Sequence, residues 1–136
     1  MFGFVILKLT ALELFYAVLY VRGKLLVTNY AVKLVFFAKS LLPTLDGILV
    51  MTVNPGFAGQ KMVPHSIDKI KRVREYLDSH GRADAEIQVD GNVSIPNARR
   101  MKEAGANIFV CGTASVFNGQ DLEQNVREFK RTVYGE

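Results

Sequence analysis

The chain has 136 residues, 49% of them apolar, which predicts one globular domain with a real core and excludes an intrinsically disordered chain. The formal net charge of +4 raises the question of a polyanionic partner. The basic residues are scattered, however, and the run at 69–74 is typical of a solvated helix face, so we expect no nucleic-acid partner.

The first 21 residues are strongly apolar and leave two interpretations open, a buried core segment or a signal peptide or membrane helix. Lys8 and Glu13 interrupt the segment, and no apolar run reaches the ~18 residues expected of a membrane span. Thr10 and Glu13 also have the spacing of a capping box. We therefore predict a strand at 4–7 and a helix at 11–20, both in the core, and no membrane partner.

The rest of the chain alternates short apolar runs with longer helical patterns. The predicted strands are Lys24–Thr28, 48–53, 86–89 and 107–111. The predicted helices are 32–42 (stopped by Pro43), 64–79, one between the cap Ser94 and Gly105, and a last one capped by Asp121. This alternation predicts a parallel sheet covered by helices, with too few strands to close an eight-stranded barrel.

Three loops with unusual sequences follow three successive predicted strands, at the end where parallel α/β folds bind ligands. In the first, glycines between Asn54 and Gln60 allow either an anion-binding nest of N–H groups or a tight turn. In the last, Gly112 precedes a predicted short helix, which suits either a phosphate site or a simple turn.

The middle loop begins with Asp90 and Gly91. An aspartate at the mouth of a buried strand can act as a general base or metal ligand, but Asp-Gly is also a common turn pair. His65 and His80 are expected at exposed helix ends rather than in a metal site. The single cysteine, Cys111, cannot form an internal disulfide, which indicates a reducing compartment, and we expect a cytoplasmic protein.

Three segments carry a family resemblance. Leu45-Asp-Gly-Ile-Leu-Val-Met51-Thr-Val-Asn-Pro-Gly-Phe-Ala-Gly-Gln60, Ile87-Gln-Val-Asp90-Gly91-Asn92-Val93 and Ala104-Gly-Ala-Asn-Ile-Phe-Val-Cys-Gly112-Thr113-Ala114 resemble the last three strands and loops of ribulose-phosphate 3-epimerases. The Gly-Phe-Ala-Gly form, with Thr113, also resembles the allulose-6-phosphate 3-epimerase branch. Within a single domain, 1–136, the resemblance is strong over 45–118 and weak over 1–44, and 119–136 is a C-terminal helix.

The resemblance implies a TIM (β/α)8-barrel type fold, here a partial barrel of about four to five βα units. It also implies metal-assisted proton transfer at C3 of a ketose phosphate, either ribulose 5-phosphate/xylulose 5-phosphate or allulose 6-phosphate/fructose 6-phosphate. Asp90 would be an acid/base and a ligand of a divalent metal of the Zn, Mn, Fe or Co class, with Met51 near the metal. The implied phosphate contacts are Gly56, Phe57, Ala58, Gly59, Gly91, Asn92, Gly112 and Thr113.

The chain departs from the family pattern in its first part. The family carries a second aspartate and two metal-binding histidines on early strands, whereas residues 1–30 contain no histidine and one acid, Glu13. We therefore expect little or no activity of this chain alone, and homo-oligomerisation or pairing with a missing half-barrel. Two alternatives are a non-catalytic phosphate-binding or self-associating half-barrel and a relative of indole-glycerol-phosphate or thiamine-phosphate synthases. The synthase relatives share the phosphate site of the Gly112 type, but they do not require Gly-Phe-Ala-Gly-Gln followed by Val-Asp-Gly.

Overall fold

The computed structural model describes residues 17–21, 24–28, 42–54, 56 and 59–136. One sheet has the strand order β2-β1-β3-β4-β5. Its strands are β1 (Ala17–Val21), β2 (Lys24–Thr28), β3 (Leu45–Met51), β4 (Glu86–Asp90) and β5 (Ile108–Val110). The helices are α1 (Ser66–Ser79), α2 (Ile95–Glu103) and α3 (Leu122–Tyr134), and a 3₁₀ turn, Leu42–Thr44, leads into β3.

Strands β3, β4 and β5 are parallel, and a helix follows each of them along the chain. The register aligns Met51 with Asp90, and Asp90 with Val110. The three strands therefore end at the same level, and the loops that follow them emerge side by side. The α/β architecture predicted for this part of the chain is confirmed.

The start of the chain differs from the prediction. A strand, Ala17–Val21, occupies the end of the predicted helix at 11–20, and it pairs antiparallel with both β2 and β3. Val, Leu and Tyr in β1 favour a pleated strand, and only two residues separate paired Val21 from Lys24. So short a connection joins antiparallel strands, whereas parallel strands need a long crossover. The wholly parallel sheet was therefore a wrong prediction for β1 and β2.

Other predicted elements fall outside the described residues. These are the strand at 4–7, the helix at 11–16 and the helix at 32–41. The described residues contain three parallel βα units, so the total of four to five units stays a prediction.

The core lies between the parallel strands and their helices. Val50 on β3 and Ile87 and Val89 on β4 are completely buried, together with Ile70 and Met101 on the covering helices. Side chains alternate between the two faces of a strand, so Gln88 and Asp90 lie on the opposite face of β4 from this core and remain partly exposed. The core thus holds β4 in place while leaving the Asp90 carboxylate accessible.

The helix ends confirm most of the predicted capping residues. Ser94 precedes α2, with Pro96 in the first turn, and Gly105 follows its last turn with a φ of 108°. Asp121 Oδ1 accepts a hydrogen bond of 2.8 Å from Gln124 N–H at the start of α3. Helix α1 begins at Ser66, two residues after the predicted start at Pro64. In the described part of the chain, no helix is long and apolar enough to cross a membrane.

Candidate phosphate and acid–base cleft

A cleft of about 440 Å³ lies at the carboxyl ends of β3, β4 and β5. Its described walls come from the three loops that follow these strands. The lining residues are Met51, Val53, Asn54, Gly56, Gly59, Gln60, Asp90, Gly91, Asn92, Val93, Val110, Gly112, Thr113 and Ala114. Because the three strands end in register, residues as far apart in the chain as Met51 and Ala114 meet around one space.

The structure brings together nearly all of the site residues singled out from the sequence. Those that line the cleft are Met51, Gly56, Gly59, Asp90, Gly91, Asn92, Gly112 and Thr113. Phe57 and Ala58 lie outside the described residues. Their shared position fits the predicted phosphate and acid–base site, while the role of each residue stays a prediction.

The loop after β5 forms a hydrogen-bonded turn instead of the predicted short helix. The N–H groups of Ser115, Val116 and Phe117 all donate to Gly112 O at 3.1 Å, which closes the chain on itself. Among the described residues, no backbone carbonyl accepts from the N–H groups of Thr113 and Ala114. These two amides therefore border the cleft with hydrogen-bonding capacity for an anion.

Asp90 is the one carboxylate among the described lining residues of the cleft. Burial raises the pKa of the Asp90 carboxyl above its usual range, and a hydrogen bond from Gly91 N–H partly opposes that rise. No lysine or arginine is among the described lining residues, so the carboxylate has no cationic neighbour there. A carboxyl group whose pKa is shifted upward by burial is a stronger proton acceptor once it is ionised.

Thr52 connects the ends of β3 and β4, and the sequence analysis gave it no role. Its side chain is completely buried, and its hydroxyl donates to Asp90 O at 3.0 Å and to Gly91 O. Its backbone N–H also donates to Asp90 O, at 2.8 Å. Thr52 thereby holds the backbone of the Asp90–Gly91 loop against the neighbouring strand.

Gly91 is required by the close packing of this junction. Its φ is 113°, a conformation that L side chains rarely adopt. A Cβ atom at this position would lie 2.5 Å from Val53 Cγ2. Only glycine allows the β4 loop to pass this close to the β3 loop.

Asn92 joins the same two loops through its side chain. Its Nδ2 donates to Gln60 O at 2.7 Å, and its Oδ1 accepts from Asn97 Nδ2 at 2.8 Å. Asn97 Nδ2 also donates to Asn92 O at 3.0 Å. The backbone of Asn92 is left-handed, with a φ of 47°, which asparagine tolerates better than most residues.

The third loop is held by Asn125, a buried residue of α3 that the sequence analysis also missed. Its Nδ2 donates to Val116 O at 3.0 Å and to Asn118 Oδ1 at 2.7 Å. The sequence signal for this role was an asparagine within a helical pattern. A polar side chain that is buried needs hydrogen-bond partners, here in the neighbouring loop. Asn125 therefore attaches the β5 loop to the last helix.

A metal ion would need more ligands than the described residues supply. They contain no group of three or more His, Cys, Asp or Glu side chains able to hold one. Asp90 offers one carboxylate, and Met51 contributes a thioether, a soft and weak ligand. The described residues therefore do not make a complete site for the metal that the resemblance implies.

The two histidines and the cysteine lie outside the cleft lining. His65 and His80 flank α1 and are exposed, as predicted from their positions at its ends. Cys111 is partly buried, and burial raises the pKa of its thiol. A raised pKa keeps the thiol protonated and unreactive.

Comparison with known proteins identifies the family. Residues 23–117, which include every lining residue of the cleft, match the sequence profile of the ribulose-phosphate 3 epimerase family. The ribulose-phosphate 3-epimerase of Escherichia coli (strain K12) is 41% identical over 86 residues, which cover 63% of this chain and 37% of that protein. The enzyme of the same name from Bacillus subtilis (strain 168) is 43% identical over 86 residues, covering 63% and 39%.

A third relative extends the match. The ribulose-phosphate 3-epimerase of Synechocystis sp. is 42% identical over 98 residues, covering 70% of this chain and 42% of that protein. The matched part of the chain thus spans 37% to 42% of the length of these relatives. With a matched profile over most of its length, the chain belongs to the ribulose-phosphate 3-epimerase family.

Proposed function

We propose that this chain supplies the phosphate-binding loops and one acid/base, Asp90, of a ketose-phosphate 3-epimerase site. The substrate pair is ribulose 5-phosphate and xylulose 5-phosphate, or allulose 6-phosphate and fructose 6-phosphate. The single observation that carries the proposal is the cleft in which Asp90 faces the same space as the glycine-rich loops of β3, β4 and β5. We also propose a cytoplasmic location, because a single cysteine, Cys111, cannot form a disulfide within this chain.

Backbone amides rather than cations would hold the phosphate. The described lining residues include five glycines or small residues that let a ligand approach the main chain, namely Gly56, Gly59, Gly91, Gly112 and Ala114. The N–H groups of Thr113 and Ala114 have no backbone acceptor among the described residues, so they can donate to phosphate oxygens.

Asp90 would act on the carbon next to the carbonyl group. When ionised, its carboxylate can accept the C3 proton, and the protonated form can return a proton to the same face of the substrate. Inversion at C3 needs a second acid on the opposite face, and the described lining residues include no other carboxylate. We therefore propose that the chain alone has little or no epimerase activity.

The divalent metal of the Zn, Mn, Fe or Co class remains a prediction from the family. When bound, such a metal stabilises negative charge that develops on substrate oxygens. Because the described residues offer Asp90 without a set of companion ligands, we assign no step of the reaction on this chain to it.

A titration with inorganic phosphate, followed by amide NMR of the full chain, tests phosphate recognition. We expect saturable shifts of the Gly59, Gly91 and Thr113 resonances, which lie around the cleft. The basic residues Arg127 and Arg131 on α3 provide an internal control, since they form a separate surface depression. Shifts confined to α3, or no saturable shifts, would contradict the proposed site.

A turnover assay tests the proposed incompleteness. Ribulose 5-phosphate is incubated with the purified chain and a divalent metal, and xylulose 5-phosphate formation is followed. We expect no turnover above that of the Asp90→Asn variant. Metal-dependent turnover by the unmodified chain would overturn this part of the proposal.

The exposed apolar side chains support a second candidate, a non-catalytic phosphate-binding or self-associating half-barrel. Phe117 is 58% exposed and Leu122 is 49% exposed, and β5 lies at the edge of the described sheet. Exposed apolar side chains and sheet edges favour association with another chain. In this candidate the chain forms a homo-oligomer or pairs with a missing half-barrel, and no chemistry takes place at Asp90.

A further inference from the structure

We infer that Asn97, which does not line the cleft, is a positioning residue that sets the separation between the β3 loop and the β4 loop through Asn92. The inference rests on the proposed function for its ligand, phosphate, while its structural part concerns the ligand-free chain. The family resemblance implies a phosphate contact at Asn92 and no role for Asn97.

The side chains of Asn97 and Asn92 form a linear series of hydrogen bonds across the cleft wall. Asn97 Nδ2 donates to Asn92 Oδ1 at 2.8 Å, and Asn92 Nδ2 donates to Gln60 O at 2.7 Å. Gln60 Nε2 in turn donates to Asn54 O, within the β3 loop. The series therefore links the first turn of α2 to a loop that follows a different strand.

Asn97 starts this series from a rigid position. It lies three residues after the cap Ser94, and its neighbour Ala98 is completely buried in the core. Its Nδ2 donates to two atoms of Asn92, to Oδ1 at 2.8 Å and to the backbone O at 3.0 Å. These two bonds favour the left-handed φ of 47° at Asn92.

The Asn92 side chain consequently serves as a connector rather than as a ligand group. Its Oδ1 and Nδ2 point to protein partners on opposite sides, one on α2 and one on the β3 loop. Phosphate recognition at this loop then falls to the main chain rather than to the Asn92 side chain. Loss of the Asn97 side chain would remove its hydrogen bonds to Asn92. The Asn92 side chain could then move away from Gln60 O, which would loosen the backbone of the β3 loop.

Amide hydrogen exchange of the ligand-free full chain tests the structural part. In Asn97→Ala we expect the amide of Val63, which donates to Thr52 O at 2.8 Å from the same β3 loop, to exchange about fivefold faster, because the loss of a hydrogen bond of about 1 kcal/mol changes the opening equilibrium by that factor. Amides in the core of α3, near Phe129, should exchange at the unmodified rate. Unchanged exchange of the Val63 amide would overturn the inference, whether or not the chain binds phosphate.

Asn107→Ala is the matched control variant. Asn107 Oδ1 accepts from Ile87 N–H at 2.7 Å, so this variant also loses an asparagine side-chain hydrogen bond next to β4. Residue 107 precedes β5, at the end of the strands opposite the cleft. We expect it to leave the exchange of the Val63 amide and the affinity for inorganic phosphate within twofold of the unmodified chain. Equal effects of the two variants would show general loosening and overturn the inference.

A double variant separates positioning through Asn92 from a general structural role. Asn92→Gly removes the connector while glycine still adopts the positive φ. If Asn97 acts through the Asn92 side chain, Asn92→Gly/Asn97→Ala will bind inorganic phosphate within twofold of Asn92→Gly alone. Losses that multiply would overturn the inference. If the unmodified chain fails to bind phosphate, the proposed phosphate site is wrong, and the exchange data alone decide on Asn97.

Discussion

The carboxyl group of Asp90 combines partial burial with the absence of a cationic neighbour among the described lining residues. A structural carboxylate is normally stabilised by a cation or by several hydrogen bonds, whereas this one receives a hydrogen bond from Gly91 N–H and still has a raised pKa. Groups with such shifts occur more often at sites of chemistry than elsewhere, which favours a functional origin for this arrangement.

The raised pKa of Asp90 gives a stability prediction with a defined sign. Because the folded chain binds this proton more tightly than the unfolded chain, stability falls as pH rises from about 4 through the raised folded pKa. Asp90→Asn cannot ionise and avoids this loss. We expect the variant to have a higher free energy of unfolding than the unmodified chain at neutral pH, and a smaller difference near pH ~3, where the carboxyl group is largely protonated in both the folded and the unfolded state. Urea unfolding at the two pH values measures this, and a destabilised variant at neutral pH would contradict it.

Gly91 and Gly112 make a matched pair, since both line the cleft and only one is sterically restricted. Gly91→Ala would place Cβ 2.5 Å from Val53 Cγ2 at a φ of 113°. Backbone strain and overpacking together should cost about 2–6 kcal/mol of unfolding free energy. Gly112→Ala meets no atom within 4 Å. It should stay within about 0.5 kcal/mol of the unmodified chain. Chemical denaturation gives the free energy of unfolding of both variants. Equal values would show that the Val53 side chain can move to accommodate the added methyl group.

One buried hydroxyl group, that of Thr52, contributes to the junction of β3 with β4. Thr52→Val keeps the shape but removes the donor to Gly91 O, which should cost about 1–3 kcal/mol. Thr52→Ser keeps the hydroxyl and loses a buried methyl group, which should cost about 1 kcal/mol. Only the valine variant should shift the amide resonances of Gly91 and Asn92. Similar spectra for the two variants would show that the hydroxyl does not hold this loop.

The elements that could be predicted from sequence are those whose signals are local. Ser94 and Asp121 mark helix starts, and the parallel strands β3 to β5 follow from short apolar runs between the helical patterns. The strand β2 was predicted with the bounds that the structure shows. The strand β1 was missed because its apolar residues fit a helix as well as a strand, and pairing with β3 decided the outcome.

The parts of the cleft that could be predicted are likewise those with local sequence signals. Glycine-rich loops at strand ends are visible in the sequence, and parallel pairing brings them together. Thr52 was not predictable, since its partner Asp90 is 38 residues away in the chain. Asn97 lies only five residues from Asn92, but its role depends on the left-handed backbone that the fold gives to that residue.

Most of the large apolar side chains that are exposed in the described part of the chain lie after β5. Leu122 and Val126 are one turn apart on α3, and both are exposed, whereas Phe129 and Val133 on the same helix are buried in the core. A helix that buries one part of its apolar stripe and exposes the other is typical of a surface that contacts a further chain or segment.

This surface predicts concentration-dependent self-association. In sedimentation velocity experiments on the full chain, the average mass should rise above that of the monomer as concentration increases. The variant Leu122→Glu/Val126→Glu should remain monomeric, because two carboxylates in the first turns of α3 remove the apolar contact and remain compatible with the helix N-terminus.

Lys130→Glu controls for charge in this comparison, since it alters the net charge by the same two units at another exposed position of α3. Its association should match that of the unmodified chain. An unmodified chain that stays monomeric at high concentration would contradict the self-associating half-barrel. Association lost equally in both variants would assign it to net charge rather than to the apolar residues. Retention of the saturable phosphate shifts in the monomeric double variant is expected, because neither Leu122 nor Val126 lines the cleft.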